Sequence, residues 1–122
     1  MFVLGRSGDL RRSIDGGGNW ILQGNAGASD CADLAVGRSG DLFVLTETGD
    51  LLRSIDNGSS WTAESNAGFS DGVALTVGGG SGFGDTLYAA TSTGDIARIP
   101  PGGSWAVVGN TSFTPIVDLL WT

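Results

Sequence analysis

Histidine and lysine are both absent from this chain of 122 residues, and cysteine occurs once, as Cys31. Without histidine the chain lacks the usual general base of hydrolytic sites and a common metal ligand, so we expect neither a metal nor a cofactor. A single cysteine forms no internal disulfide, which fits a reducing compartment such as the cytoplasm. No apolar run approaches membrane-spanning length, and glycine and aspartate interrupt the first nine residues too early for a secretory signal.

Positive charge is scarce. Six arginines face thirteen acidic residues, which gives a net charge of −7. Nucleic acids and anionic membranes both require a basic surface, so we expect this protein to bind neither of them. What the chain has in excess is glycine, with 22 residues in short clusters between apolar runs. Clusters of this kind mark turns between strands, and the composition therefore predicts an all-β fold.

One stretch of eight residues recurs along the chain. Residues 54–61 read SIDNGSSW, residues 13–20 read SIDGGGNW, and a degraded copy at 98–105 reads RIPPGGSW. Their tryptophans are 41 and 44 residues apart, an asparagine recurs at the same steps, and glycine–aspartate pairs recur at steps of 41 and 45. Repeats of that length predict a β-propeller, in which each repeat folds into one four-stranded antiparallel blade.

The ends of the chain are offset from the repeat by one strand. The run Met1–Leu4 aligns with the second strand of the middle repeat, and Asp118-Leu119 aligns with Asp33-Leu34 in its first strand. We therefore predict four units, namely a partial blade with strands two to four (1–25), two complete blades (26–66 and 67–110), and a lone first strand (111–122). The glycine-rich loop 78–85 is expected to form a mobile lip.

The eight-residue pattern resembles the Asp-box, or bacterial neuraminidase repeat. The matching residues are Ser13, Asp15, Gly17, Trp20, Ser54, Asp56, Gly58 and Trp61, with Gly102 and Trp105 retained in the third copy. The third copy has Arg98 and Pro100 where the pattern has serine and aspartate. Proteins with this box are β-propellers, and the resemblance implies that each box forms the hairpin between the third and fourth strands of a blade.

A structural reading explains the residue types in the box. An aspartate can accept hydrogen bonds from the N–H groups of a tight turn, glycine permits the backbone conformation, and tryptophan covers the turn. The alternative is that Asp15 and Asp56 bind a metal ion. Each box supplies one carboxylate, whereas calcium requires several oxygen ligands, so we favour the structural reading.

A ring of three blades is too tightly curved to close. We therefore predict that strand 111–122 of one chain completes the opening blade of a second copy, so that a homodimer closes a six-bladed ring. A ring of three chains with nine blades and a fragment of a longer propeller remain as alternatives.

Two classes of function stay open. The first is a non-enzymatic binding or scaffold module, with an unidentified glycan or peptide as ligand. The second is a sialidase-like hydrolase assembled across two chains, because neuraminidases use a tyrosine nucleophile paired with a glutamate, and several arginines. Here Tyr88, Glu47 and Glu64 are the only tyrosine and glutamates, and Tyr88 lies in an apolar run that indicates packing. We favour the binding module and predict no catalytic residue.

Overall fold

The computed structural model describes residues 1–79, 84–112 and 114–120. These residues form eleven β-strands and no helix, and hence no helix that could cross a membrane. The strands are β1 (Phe2–Leu4), β2 (Asp9–Arg12), β3 (Ile21–Asn25), β4 (Cys31–Val36), β5 (Leu42–Thr46), β6 (Asp50–Ser54), β7 (Thr62–Asn66), β8 (Gly72–Gly78), β9 (Thr86–Thr91), β10 (Asp95–Ile99) and β11 (Ala106–Asn110).

Three antiparallel sheets follow one another along the chain. The first sheet has the order β1-β2-β3, the second β4-β5-β6-β7, and the third β8-β9-β10-β11. Every sheet is a meander, because neighbours in sequence are also neighbours in space. The first sheet holds three strands and the others four, so the described chain comprises one three-stranded and two four-stranded blades of the propeller type.

The last two strands of each sheet share the same local irregularity. Their pairing shifts by one residue after Leu10, Leu51 and Ile96, which indicates a β-bulge at one position of the repeat. Beyond the bulge, an asparagine at the end of the last strand donates to an aspartate at the start of the preceding one. The three pairs are Asn25–Asp9 at 2.8 Å, Asn66–Asp50 at 2.8 Å and Asn110–Asp95 at 2.7 Å.

Each sheet is joined to the next by the same backbone hydrogen bond. The N–H of Cys31, at the start of the second sheet, donates to Arg6 in a turn of the first sheet, with a length of 3.0 Å. The N–H of Gly72 donates in the same way to Glu47 in the second sheet at 2.9 Å. This repetition stacks the sheets side by side at a constant offset.

The segment 114–120 begins where a fourth sheet would begin. Its Ile116 N–H donates to the carbonyl of Ser92 in the third sheet at 3.4 Å, in the manner of Cys31 and Gly72. Unlike the first strand that we expected, residues 115–120 have no regular secondary structure. Among the described residues no strand lies alongside them, and a strand forms only when a neighbour supplies its ladder of hydrogen bonds. Residues 113 and 121–122 of the expected strand 111–122 lie outside the described residues, as do 80–83 of the expected lip.

Apolar side chains fill the spaces between successive sheets. The first and second sheets enclose a cluster around Val44, and the second and third enclose a larger one around Leu45. A third, smaller cluster joins Ala90 of the third sheet to Ile116. Both faces of the second sheet are therefore covered, which explains why β5 is buried at all five of its positions.

Among the residues that the structure describes, only one face of the first sheet is covered by a neighbouring sheet. Leu4 packs towards the second sheet, whereas its neighbour Val3 is 50% exposed. The equivalent residue of the second sheet, Val44, is fully buried at 0% exposure. Met1 shows the same contrast, because it is 66% exposed while the equivalent Leu42 is 1% exposed. The first sheet thus presents to solvent the apolar positions that the second sheet buries.

Candidate functional site

The second eight-residue turn, residues 54–61, is held by side-chain hydrogen bonds. The Ser54 hydroxyl donates to Asp56 Oδ1 at 2.8 Å and accepts from the N–H of Gly58 at 2.8 Å. Asp56 Oδ1 also accepts from the N–H of Ser60 at 2.8 Å, and the Trp61 indole N–H donates to the Gly58 carbonyl at 3.0 Å. The four residues of the sequence pattern therefore bind one another across the turn, and the backbone N–H groups are satisfied locally.

The first turn, residues 13–20, repeats this arrangement bond for bond. Its hydrogen bonds are Ser13–Asp15 at 2.8 Å, Gly17–Ser13 at 2.8 Å, Asn19–Asp15 at 2.9 Å and Trp20–Gly17 at 3.0 Å. Both aspartates are thus engaged within their own turns. The described residues hold no group of three or more cysteine and acidic side chains that could bind a metal ion.

The hydrogen bonds favour the charged form of both aspartates. Hydrogen bonds lower the pKa of Asp15 from 3.8 to about 2. The Asn19 backbone N–H contributes most, followed by the Asn19 side chain and the Ser13 hydroxyl. The hydroxyl and backbone N–H of Ser60, together with Ser54, lower the pKa of Asp56 to about 2. Both carboxylates stay ionised well into the acid range, because protonation would remove acceptors that the turns use.

Acid should therefore weaken the fold through these two turns. A carboxyl whose pKa is lower in the folded chain stabilises it above the unfolded pKa, and this contribution is lost as the pH falls through the folded pKa. We expect the urea midpoint to decline between about pH 4 and pH 2, and to decline less in the double variant Asp15→Asn, Asp56→Asn. Circular dichroism of both proteins over that range tests this, and equal declines would contradict it.

The third turn, residues 98–105, is built differently. Arg98 and Pro100 replace the serine and aspartate, so the hydrogen bonds that those two side chains make in the first two turns cannot form. The Trp105 indole N–H instead donates to the hydroxyl of Ser65, on β7 of the neighbouring sheet, at 2.9 Å. The tryptophan has therefore exchanged a bond within its own turn for a bond between sheets.

The two contacts between sheets differ because of these turns. At the first junction, between the first and second sheets, Gly58 of the second turn is buried against Leu10 and Gly24 of the first sheet. A methyl group added at Gly24 would overlap the Gly58 carbonyl oxygen. At the second junction, between the second and third sheets, the equivalent Gly102 is exposed and a methyl group there would meet nothing within 4 Å. The third turn stands away from its neighbour.

A pocket of about 290 Å³ lies at the second junction. Its apolar wall consists of side chains from both sheets, namely Phe43, Leu51, Leu87 and Ile99. Residues 100–103 of the displaced turn form its opposite rim. We call this space the junction pocket. Its volume is near the lower end of the range for small-molecule sites in proteins.

Charged side chains also line the junction pocket. The Arg53 guanidinium lies over the Phe43 ring, 5.9 Å from its centre, and its Nε donates to Asp41 Oδ2 at 2.9 Å. Hydrogen bonding to Asp41 raises the pKa of Arg53 above its ordinary value. Glu64 lies 3.7 Å from Arg53 Nη1, beyond hydrogen-bonding distance. Asp85 completes the group and pairs with Arg38 at 3.1 Å.

Asp33 is the most deeply buried acid whose pKa is shifted. It lies on β4, where its Oδ2 accepts from the N–H of Leu75 on β8 at 2.8 Å, and its Oδ1 accepts from the N–H of Leu34 at 2.8 Å. Burial nonetheless raises its pKa, and the charge of Asp118 raises it further. Asp33 therefore links the first strands of two sheets, which gives it a structural role.

The structure does not gather the residues that a sialidase-like site would need. Tyr88 lies in the middle of β9, with Thr76 and Arg98 as its cross-strand neighbours. Glu47 follows β5 and pairs with Arg6 at 2.5 Å. Glu64 lines the junction pocket, but neither Tyr88 nor Glu47 does.

Sequence reasoning missed the junction pocket, although two substitutions within the repeat signal it. Gln23 and Gly24 of the first sheet become Glu64 and Ser65 at the equivalent positions of the second sheet. Both changes coincide with the loss of the box residues from the third turn. Comparing repeats position by position could have identified this junction as the one that differs.

Comparisons with known proteins concern the fold alone. No family model matches the chain, and no curated protein matches its sequence. Among solved structures it is similar to YCF48 from Cyanidioschyzon merolae, with a TM-score of 0.62 and 21% identity over 88% of this chain. The match covers 32% of YCF48, so this chain spans about a third of that protein's length. YCF48 is a β-propeller protein, and this chain folds as part of a β-propeller.

Proposed function

We propose that this chain is a non-enzymatic binding or scaffold module of the Asp-box type, and that two copies close one six-bladed propeller. The single observation that carries the proposal is the contrast between Val3, 50% exposed, and its buried equivalent Val44. Between two sheets of this propeller such a position is covered by the neighbouring blade. Covering an apolar face is favourable at about 25 cal/mol per Å² of surface removed from water.

The segment 114–120 supports a second copy as the occupant of that face. Its Ile116 N–H donates a backbone hydrogen bond to the third sheet, equivalent to the bonds found where the second and third sheets begin. Asp118 holds the position of Asp33, and its Oδ1 accepts from the N–H of Leu119 at 2.8 Å as Asp33 Oδ1 does from Leu34. In the proposed ring this segment lies beside β1 of the partner and becomes the fourth strand of that sheet.

The hydrogen bonds of the first two turns support the Asp-box assignment. Serine, aspartate, glycine and tryptophan of the pattern all take part, in both copies and with matching lengths. Their role in this proposal is to stabilise the blades, so the binding function belongs to other surfaces of the ring.

The placement of Tyr88 favours binding over hydrolysis. A tyrosine nucleophile needs a glutamate within hydrogen-bonding reach and arginines around the same pocket. Tyr88 is paired in the middle of a sheet, and the two glutamates lie elsewhere. Cleavage of a fluorogenic sialoside that is lost in Tyr88→Phe would contradict the non-enzymatic proposal.

The mass of the protein in solution tests the ring. One chain has a mass of 12.4 kDa, so two copies give 2 × 12.4, or 24.8 kDa. We expect light scattering after size exclusion to report the two-chain mass at micromolar concentration, together with a β-type circular dichroism spectrum. A folded species with the mass of one chain would overturn the ring, and a three-chain mass would replace it with nine blades.

A further inference from the structure

We propose that the junction pocket binds an organic cation, namely an ammonium or guanidinium group on a short aliphatic stem, as in lysine and arginine side chains. This inference deepens the proposed function by assigning one binding site and one class of ligand to the module. The pocket lies within a single chain, between its second and third sheets, so it is present whether or not the ring closes.

The pocket arises from a change in packing that is confined to one junction. At the first junction Gly24 leaves room for the carbonyl of Gly58, and the intact turn fills the space. At the second junction Ser65 takes the place of Gly24, and its hydroxyl accepts a hydrogen bond from Trp105. By analogy with Gly24, a side chain at position 65 would overlap a third turn placed as the second turn is placed. Gly102 of the third turn is exposed.

Charge selects a cation for this space. The pocket is lined by three carboxylates, and two guanidinium groups pair with them, which gives these five side chains a net charge of −1. The carboxylates are Asp41, Glu64 and Asp85, and the guanidinium groups are Arg38 and Arg53. Both arginines are already paired, Arg38 with Asp85 and Arg53 with Asp41. An anion would have to compete with those carboxylates, whereas a cation meets an excess of negative charge, in a chain whose net charge is −7.

Glu64 is the carboxylate that can accept a further hydrogen bond from a ligand. Its side chain is 40% exposed, and the ion pair with Arg53 spans 3.7 Å, which leaves its oxygens available to a stronger donor. Asp41 and Asp85 are more enclosed, at 15% and 8% exposure, and each accepts hydrogen bonds from an arginine. Glu64 is therefore the residue that we expect to contact the cationic head.

The apolar wall suits the stem of such a ligand. Leu51, Leu87 and Ile99 line the pocket together with the charged groups and the two prolines of the displaced turn. Methylene groups of a lysine or arginine side chain gain by burial against apolar surfaces of this kind while the charged end contacts a carboxylate. The volume of about 290 Å³ admits one such side chain or a small free amine.

The test is a titration of the full chain followed by amide chemical shifts. The probes are agmatine, the peptide acetyl-Gly-Lys-Gly-amide, its Nε-acetylated form and a neutral disaccharide. We expect agmatine and the lysine peptide to shift the amides of Ser65 and Gly102 saturably, and the two neutral probes to shift neither. Binding of agmatine but not of the lysine peptide assigns the site to small free cations. Binding of both agmatine and the lysine peptide assigns it to side chains of peptides as well.

Glu64→Gln removes the charge and keeps the shape, and glutamine already stands at the equivalent position 23. We expect this variant to bind the cationic probes about tenfold more weakly or worse, because a hydrogen bond to a charged partner is lost. The matched control Gln23→Glu adds a carboxylate at the first junction, where the intact turn fills the space, and should leave binding unchanged.

Undiminished binding by Glu64→Gln, or equal binding of the acetylated peptide or the disaccharide, would overturn the cation site. The ring is judged separately, by the mass of the same samples. No cation binding in a protein with the mass of two chains overturns the pocket alone, whereas cation binding by a one-chain species overturns the ring alone.

Discussion

Replacing Gly58 with alanine should lower the free energy of unfolding by about 3 kcal/mol, as the sum of backbone strain and overpacking. Gly58 has a φ of +88°, a conformation that L side chains rarely adopt. The added methyl group would also overlap Cδ2 of Leu10. Leu10 is fully buried at 0% exposure, so its side chain can move aside only if the surrounding core repacks.

Gly102→Ala is the matched control for this prediction. Gly102 occupies the equivalent position of the third turn with a φ of +68°, and a methyl group there would meet nothing within 4 Å. Strain alone should cost about 1 kcal/mol at this site. Urea unfolding at one fixed protein concentration compares the two variants. Equal losses of stability would show that packing at the first junction does not depend on Gly58.

If two copies form the proposed ring, Val3→Glu should dissociate it into single chains that remain folded. Val3 is 50% exposed on the outer face of the first sheet, so a carboxylate there remains in water in the single chain. In the closed ring the same position would be buried as Val44 is, and an unpaired buried charge costs several kcal/mol. We expect association to weaken by at least about 100-fold.

Ile55→Glu provides the control for Val3→Glu. Ile55 is 77% exposed in the second turn, although both neighbours of its sheet are present, so closing a ring leaves it in solvent. This variant should keep the two-chain mass. Light scattering and circular dichroism on both variants distinguish dissociation from unfolding. A Val3→Glu protein that retains the two-chain mass would contradict the seam that we propose at the first sheet.

The sequence predicted the fold well because the repeated copies could be aligned with one another. Two copies of the turn at 41-residue spacing located the hairpins between β2 and β3 and between β6 and β7, and short glycine-rich links indicated meanders. The all-β propeller fold is confirmed by the three antiparallel sheets and by the similarity to YCF48. The number of blades and the homodimer remain predictions, because a single chain carries no information on its partner.

The candidate site could not be predicted in this way. We read the third turn, residues 98–105, as a decayed copy, and nothing in that stretch indicates where it lies relative to the second sheet. Its position depends on Ser65, 40 residues before Trp105, through a hydrogen bond that crosses a sheet junction. Asp41, Arg53 and Glu64 come together only because β5, β6 and β7 pair in one register.

The sequence by itself determined the strands within the three sheets, their order in each blade and the two intact turns, but it predicted a strand at the end of the chain where residues 115–120 form none. These features depend on local preferences, such as a φ above zero at Gly58 or hydrogen bonds that the Asp56 carboxylate accepts from residues within four positions. Tertiary structure alone decided that one junction is filled and the other is open. The physical reason is that packing between sheets depends on the volume of side chains distant in sequence, so that one hydroxymethyl group at Ser65 displaces a turn that Gly24 accommodates at the first junction.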